Sequence, residues 1–143
     1  MRFDIYLFFN GNCREAVSFY ADVFKTDPPE ISTYGDMPPD HEASPNDFVT
    51  EESKDLVMHT SLYVNGNALM FSDVLPGMQH VVGNNFSITI SSDNMDEIRT
   101  LFNRLKEGGS VEMDLQETFW SKAFGMLTDK FGVNWQITYD GGE

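Results

Sequence analysis

The sequence is short of basic residues and of long apolar runs, and each shortage excludes a class of protein. Lys and Arg together number 9 against 23 Asp and Glu, which gives a formal net charge of −14. That balance argues against nucleic-acid binding, which depends on basic residues that neutralise phosphates, and against binding to an anionic membrane surface. No apolar run approaches the roughly 20 residues of a membrane-spanning helix. We therefore expect neither a nucleic acid nor a membrane as a partner.

Cysteine is almost absent, since the chain contains only Cys13. A single cysteine excludes an internal disulfide and suits a reducing cytosol. The N-terminal segment lacks a secretory signal pattern because Asp4 interrupts its apolar stretch and no small-residue cleavage site follows. We therefore expect a cytoplasmic protein. No base stands near Cys13 in the sequence, so we expect no catalytic role for its thiol.

One helical pattern occurs twice along the chain. In the first copy apolar residues recur at the spacing of one helix face, at Ala16, Phe19, Tyr20 and Val23. In the second copy the same spacing is found at Ile98, Leu101, Phe102 and Leu105. Each stripe follows an Asn with a Glu three residues later, Asn12 with Glu15 and Asn94 with Glu97. This pattern predicts two amphipathic helices, each with a capping box at its start.

Strands are predicted on both sides of each helix. Segments 3–9 and 85–91 precede the helices, and shorter strand candidates follow them at about 30–34 and 110–115. A hairpin then closes each copy, with its turn at Asn65-Gly66 in the first and at Gly132 in the second. The order is therefore βαβββ, linker, βαβββ.

This order predicts an α+β fold within one domain, 1–143, of a size usual for single domains. The first module covers about 1–73, the linker 74–84 and the second module about 85–140. The first copy is longer in its middle, because 26–54 carries five of the six prolines and many acidic residues. We predict a solvated loop there, with a lid over a binding site as the alternative.

Four segments spread over nearly the whole chain match a known family: 6–24, 34–38, 57–73 and 108–137. The last contains LQETFWSKAFGMLTDKFGVNW, which is long and unusual in composition. With these segments the chain resembles the PhnB-like branch of the vicinal oxygen chelate superfamily, which includes glyoxalase I, bleomycin resistance proteins and extradiol dioxygenases. The resemblance implies two βαβββ modules that form a glyoxalase-like cleft, a small-molecule ligand and a homodimer.

Many sequences of this branch carry the name 3-demethylubiquinone 3-methyltransferase. A doubly wound methyltransferase needs a Gly-rich loop after a parallel strand, and neither Asn65-Gly66-Asn67 nor Gly108-Gly109 is placed for one. The sequence therefore leaves the reaction open, and also whether the protein is an enzyme.

The resemblance also implies four cleft positions that hold a metal in some members, usually as His, Gln or Glu. Helix-cap and turn spacing matches these positions to Ile5, Met70, Ser87 and Gln136. An alkyl group, a thioether, a hydroxyl and an amide are poor ligands for a divalent cation. We therefore expect no metal and no other cofactor.

His59 is the candidate for acid/base chemistry, because imidazole changes its charge near neutral pH. It falls in a predicted strand with Val57, Ser61 and Tyr63 on the same face. The alternative is a hydrogen-bonded histidine on a half-buried sheet. Asp73, at the end of its strand, is predicted to be a turn or cap residue rather than a ligand.

An aromatic wall is predicted around Trp120 and Phe124, because FWSKAFG mixes aromatic, polar and small residues as ligand cavities do. Packing in the core is the alternative for these aromatics. Candidates for directional hydrogen bonds to a ligand are Gln116, Thr118 and Gln136, and Ser87 is a further candidate for ligand binding. Trp135 is predicted in the core, on the face opposite Gln136.

Three functions remain open from the sequence. The first is a protein that binds or sequesters a small molecule, as bleomycin resistance proteins do. The second is a lyase, isomerase or transferase that uses a rearranged site with His59. The third is a partner-binding or structural protein whose Trp120 and Phe124 are packed in the core.

Overall fold

A computed structural model describes residues 1–36 and 49–141, and the chain divides into two compact units, Met1–Val81 and Val82–Glu143. Unit 1 and unit 2 each contain one α-helix and a four-stranded mixed sheet among their described residues. The α+β fold with two βαβββ modules, as predicted from the repeat, is therefore confirmed. The boundary between the units falls within 74–84, the predicted linker.

Both units follow the same order of elements. Unit 1 contains β1 (Ile5–Phe9), α1 (Cys13–Phe24), β2 (Ser32–Thr33), a 3-10 turn (Tyr34–Asp36), β3 (Val57–Val64) and β4 (Asn67–Asp73). Unit 2 contains β5 (Ile88–Ser92), α2 (Met95–Leu105), β6 (Ser110–Gln116), β7 (Phe124–Thr128) and β8 (Asn134–Tyr139). Every predicted helix and strand is present, with small shifts at the ends. Neither helix in the described ranges has the length and apolar content to cross a bilayer.

The two sheets also share one topology. The strand order is β1-β4-β3-β2 in unit 1 and β5-β8-β7-β6 in unit 2. The first strand of each unit is parallel to the last, and the other neighbours are antiparallel. The helix of each unit packs against its own sheet, α1 on β3 and β4 and α2 on β5 and β8. The sheet face opposite the helix, called the open face here, carries the alternate side chains of each strand.

Aromatic contacts and one close backbone approach fix the packing of helix on sheet. In unit 1 the ring of Tyr20 on α1 stacks on Phe71 of β4, with the ring centroids 5.8 Å apart. In unit 2 a Cβ atom at Gly125 would stand 2.6 Å from a ring carbon of Phe102. Only glycine therefore allows α2 to approach β7 this closely.

The start of α1 is capped by a distant carboxylate and not by the predicted capping box. Asn12 occupies the N-cap position but makes no side-chain cap hydrogen bond. Instead Asp73, which is 2% exposed, accepts hydrogen bonds from the backbone N–H groups of Gly11 (2.8 Å), Cys13 (3.0 Å) and Val57 (3.0 Å). Asp73 thus joins the end of β4 to the start of α1 and the start of β3, which agrees with its prediction as a cap residue.

The start of α2 has the predicted local cap. The Asn94 side chain accepts a hydrogen bond from the Glu97 backbone N–H at 3.1 Å. The Glu97 carboxylate accepts from the Ser92 hydroxyl at 2.9 Å, and that hydroxyl accepts from the Asn94 N–H at 3.1 Å. In a capping box the Glu97 side chain would bond the Asn94 N–H directly. Here the Ser92 hydroxyl bridges the two groups.

Both hairpin turns use the residues that the sequence indicates. Asn65 and Gly66 have φ values of 49° and 80°, as a tight turn of type I′ requires. At the second turn Gly132 has a φ of 88°, and the adjacent Asp129 accepts from the Trp135 indole N–H at 2.8 Å. Trp135 is 2% exposed, so it belongs to the core as predicted.

The proline-rich segment 26–54 is described only at its two ends. Residues 37–48 lie outside the described residues, and so does the middle of the predicted loop or lid. The end that follows α1 includes Pro28 and Pro29. The end that precedes β3 contains a turn in which the Thr50 backbone N–H donates to the hydroxyl of Ser53, a fully buried residue.

Candidate functional site

The open face of unit 2 combines aromatic, thioether and polar side chains. Strand register places its residues opposite one another across β5, β8, β7 and β6. The members are Thr89, Ser91, Ser110, Met113, Gln116, Phe124, Met126, Thr128, Asn134, Gln136 and Thr138. The Glu112 carboxylate also reaches this face, because it accepts from the Thr128 hydroxyl at 2.8 Å. Ligand pockets are lined mainly by apolar and aromatic side chains with a few polar groups. Met113, Phe124 and Met126 are the members of this face that resemble such a lining.

An aromatic group stands at one end of this face. Trp120 contacts Phe119 and Phe124 edge to face, with ring centroids 4.8 Å and 5.3 Å apart. Phe119 is 97% exposed and Trp120 is 55% exposed, whereas Phe124 is partly buried. The alternative of core packing is therefore wrong for Phe119 and Trp120.

The loop that carries Trp120 is held by its own hydrogen bonds. The Thr118 N–H donates to the Ser121 carbonyl oxygen at 2.9 Å. The Ser121 hydroxyl lies 2.8 Å from the Ala123 carbonyl oxygen and 2.9 Å from that of Tyr139, and so ties the loop to the end of β8. The exposed rings are thus carried by a loop whose backbone is held in place by hydrogen bonds.

Two side-chain amides lie on the same face. Gln116 pairs in register with Phe124, and Gln136 pairs with Met126 on β7 and Thr89 on β5. Neither amide has a hydrogen-bond partner among the residues that the structure describes. Gln116, Gln136 and the aromatic group therefore share one face of one sheet.

Ser87, the remaining predicted ligand contact, lies at the other end of the sheet. It precedes β5, whose first residue Ile88 pairs with Trp135, whereas Phe124 pairs with Thr138. Trp135 and Thr138 are three residues apart on β8. At about 3.3 Å per strand residue, Ser87 is therefore at least roughly 10 Å from the aromatic group along the strands. The structure does not bring Ser87 together with Trp120.

On the open face of unit 1, His59 lies between two hydroxyl groups. The Tyr6 hydroxyl oxygen is 3.2 Å from Nδ1 of His59, and the Ser61 hydroxyl oxygen is 3.2 Å from Nε2. In a neutral ring one nitrogen donates and the other accepts, and both hydroxyl groups can serve either role. Val57 is buried and does not share this face, because the pairing of β2 with β3 is irregular between Val57 and His59.

The positions matched to the family's metal site do not fit a divalent cation. Ile5 shares the alternation of buried Leu7 and Phe9, so the predicted place of Ile5 in the cleft is wrong. Its neighbour Tyr6 is on the open face instead, in register with Met70. In the described ranges no three His, Cys, Asp or Glu residues are grouped closely enough to hold a metal ion.

Two groups near Asp73, Cys13 and Tyr34, have raised pKa values. The pKa of the Cys13 thiol is raised to about 12, mainly by burial and further by the charge of Asp73. Burial also raises the pKa of Tyr34, whose hydroxyl donates to the Asp73 carbonyl oxygen at 2.8 Å. Both groups are neutral near pH 7, so this cluster stabilises the fold and supplies no nucleophile.

Sequence reasoning missed Tyr6 as the partner of His59. The signal was present in FDIYLFF, because the alternation of a strand places Tyr6 and Phe8 on one face and Leu7 and Phe9 on the other. Because FDIYLFF is rich in aromatic and β-branched residues throughout, the segment also suits a strand buried on both faces, and this hides the alternation. The contact between β1 and His59 on β3 depends on β4, which lies between them in the sheet.

Known proteins match the chain over nearly its full length. A family model described as 3-demethylubiquinone-9 3-methyltransferase matches residues 2–138. Protein YjdN of Escherichia coli (strain K12) is 32% identical over 135 residues, which are 92% of this chain and 90% of that protein. Protein PA1353 of Pseudomonas aeruginosa is 39% identical, with a TM-score of 0.81 and 98% of both chains covered.

Two further solved structures extend these matches. A PhnB protein from Bacillus cereus is 27% identical, with a TM-score of 0.74 over 98% of this chain and 100% of that chain. A glyoxalase-related enzyme from Fulvimarina pelagi is 16% identical, with a TM-score of 0.60 over 98% of this chain and 89% of that chain. At this identity the latter match shows a shared fold.

Proposed function

This chain belongs to the PhnB-like family of the vicinal oxygen chelate superfamily, and from that membership and its open faces we propose that it binds a small organic molecule. The binding surface is the open face of unit 2, with Trp120 and Phe124 as the aromatic wall. Gln116 and Gln136 supply directional hydrogen bonds, and no metal or other cofactor takes part. The location is the cytoplasm, which the unpaired thiol of Cys13 supports.

The observation that carries this proposal is the exposure of Trp120 beside free amides. Large aromatic side chains bury much area when a ligand covers them, and Trp is frequent where binding energy is concentrated. Trp120 is 55% exposed on a loop whose backbone is already fixed by hydrogen bonds. Apolar contact with the rings, together with hydrogen bonds to the amides, favours a partly aromatic, uncharged ligand.

Trp120→Ala should weaken binding of the neutral aromatic probe N-phenyl-1-naphthylamine about thirtyfold. Loss of a binding-site Trp typically costs ~2 kcal/mol or more, and that energy corresponds to this factor. The measurement is a fluorescence titration of the probe with the full-length protein and with the variant. Gln136→Leu should leave the probe's affinity nearly unchanged, because the probe gains little from the amide.

Phe86→Ala is the matched control for this titration. Phe86 is 65% exposed in unit 2 but is not part of the aromatic group around Trp120. The variant should bind the probe as the original protein does. Equal weakening by Trp120→Ala and Phe86→Ala, or no effect of Trp120→Ala, would refute the proposed surface.

A second candidate function is a lyase, isomerase or transferase activity at His59. The hydroxyl groups of Tyr6 and Ser61 hold both ring nitrogens of His59, and this fixes the ring in place. An orienting group on one nitrogen and a hydroxyl on the other is an arrangement that general acid–base catalysis uses. This candidate stands below the binding function.

Methyl transfer, which the family description names, has no support from the site. In doubly wound methyltransferases the loop between the first strand and helix is rich in glycine. Here β1 is followed by Asn10-Gly11-Asn12, and the helix start is taken by the carboxylate of Asp73. We therefore do not assign methyl transfer to this chain.

The protein should be a homodimer in solution, as the resemblance to the superfamily implies. The edge strand β1 supports this prediction, because its Tyr6 and Phe8 are 38% and 58% exposed. An edge strand with exposed aromatics is normally covered in the functional protein. Light scattering at micromolar concentration should give the mass of two chains, and the mass of one chain would show the prediction wrong.

A further inference from the structure

A groove of about 500 Å³ runs along β3 of unit 1, between the Thr60–Tyr63 stretch and the segment Thr26–Glu30 that follows α1. This volume is in the range of pockets that hold small organic molecules. All of its lining residues belong to unit 1. The groove therefore shares no residue with the surface proposed above for the main ligand, although His59 and Ser61 of the second candidate site are among its lining residues.

The groove stays open because the neighbouring segment cannot pair with β3. On one side of β3, the stretch Thr60–Tyr63 pairs with β4. On the other side β2 pairs only with Val57 and His59, so among the described residues no strand pairs with Thr60–Tyr63 on that side. Pro28 and Pro29 in the facing segment have no backbone N–H to donate to a ladder. The Thr60 hydroxyl donates to the Glu30 carbonyl oxygen at 2.8 Å and ties the segment to the strand. The two walls are thus linked but not paired.

The charge of the groove is negative. Asp27 and Glu30 line it, and no Lys or Arg is among its lining residues. Within residues 1–36 and 49–141, no basic group forms an ion pair with either carboxylate. The net charge of −14 adds a field of the same sign, which attracts cations and repels anions.

An aromatic ring completes the recognition surface. Tyr63 lines the groove and is 71% exposed, so its ring face is available to a cation. We infer that the groove binds small organic cations, in which an ammonium group is held by Asp27 and Glu30 and an apolar body lies against Tyr63 and the proline wall. This inference does not depend on the ligand of unit 2.

Three probes of matched shape test the inference at pH 7: phenethylamine as the cation, 2-phenylethanol as the neutral compound and phenylacetate as the anion. Each is titrated into the ¹⁵N-labelled full-length protein, and the amide shifts of Thr26–Glu30, except its two prolines, and of Thr60–Tyr63 are followed. The amine should produce saturable shifts in both segments, and the other two probes should not. Binding of 2-phenylethanol with equal affinity, or amine shifts confined to other residues, would overturn the inference.

Two double variants separate specific binding from diffuse attraction to an acidic protein. Asp27→Asn with Glu30→Gln removes two charges from the groove, and Asp114→Asn with Glu117→Gln removes two from exposed positions in unit 2. The first should weaken phenethylamine binding roughly fivefold, as expected for two exposed charge contacts. The second should leave it unchanged. Equal weakening by both would mean that only the net charge matters, and would exclude the site.

Discussion

Cys13 of the native protein should react with iodoacetamide at pH 8 about 1,000-fold more slowly than the same thiol in the unfolded chain. The pKa of this thiol is raised from 9.0 to about 12, first by burial and second by the charge of Asp73, with Arg14 acting in the opposite direction. Alkylation requires the thiolate, so a rise of this size lowers the reactive fraction by about 1,000-fold. A position in the first turn of α1 would otherwise favour the thiolate. Burial and the adjacent carboxylate outweigh that effect.

The control for this experiment is an exposed thiol on the same helix. Ser18→Cys in a Cys13→Ala background places a thiol at an exposed position of α1. That variant should react at nearly the rate of the unfolded chain when labelling is followed by mass spectrometry. A comparable rate for Cys13 in the folded original protein would contradict the prediction.

The same pKa shift predicts how stability depends on pH. Because the pKa of Cys13 is higher in the folded state than in the unfolded chain, its contribution is complete below about pH 9 and is lost as the pH rises towards 12. The pKa of Tyr34 is raised as well, so this group acts in the same direction. In urea unfolding, Cys13→Ala should therefore lose less stability between pH 9 and pH 11 than the original protein.

Asp73→Asn should lower the free energy of unfolding by about 3 kcal/mol at pH 7. One carboxylate oxygen accepts from Gly11 and Cys13, and the other accepts from Val57. An amide of the same shape keeps one acceptor but turns an NH₂ group towards the remaining N–H donors. Loss of a charged acceptor and a buried unpaired donor each cost about 1 to 3 kcal/mol. Urea unfolding followed by circular dichroism measures the loss.

Hydrogen exchange locates the effect of this substitution. The amides of Gly11, Cys13 and Val57 should exchange faster in Asp73→Asn, whereas α2 should keep its protection. Asp114→Asn, which removes an exposed carboxylate on β6, should change stability by no more than ~0.5 kcal/mol. A loss below 1 kcal/mol in Asp73→Asn would show that the three hydrogen bonds accepted by Asp73 contribute little to stability.

The elements of the fold could be predicted because their signals are local. The stripe on each helix, the Asn65-Gly66 turn and the glycine at position 132 lie within the segments that they specify. The cap of α1 could not be predicted in this way, since its acceptor Asp73 is 60 residues from Cys13. Asn12 has the right residue type for a local cap, but the distant carboxylate satisfies the helix start instead.

The site was less predictable than the fold because exposure depends on tertiary packing. Strand alternation already placed Trp135 in the core, whereas the sequence left Trp120 open between a ligand wall and core packing. Only the fold shows Trp120 on a loop and 55% exposed. Ile5 was matched to the open face from spacing, although a shift of one residue moves every side chain of a strand to the other face. His59 was found from its chemistry, but its partner Tyr6 comes from another strand.

The two helix starts differ in how far along the chain their capping groups lie. In unit 2 the groups that begin α2 lie within Ser92–Glu97, so this helix start can form before any distant part of the chain is present. In unit 1 the start of α1 waits for Asp73 at the end of the last strand. Closing that long loop must precede the gain from its hydrogen bonds, and contacts of this kind slow folding. During synthesis α1 leaves the ribosome before Asp73, so the cap at its start can form only after β4 has followed.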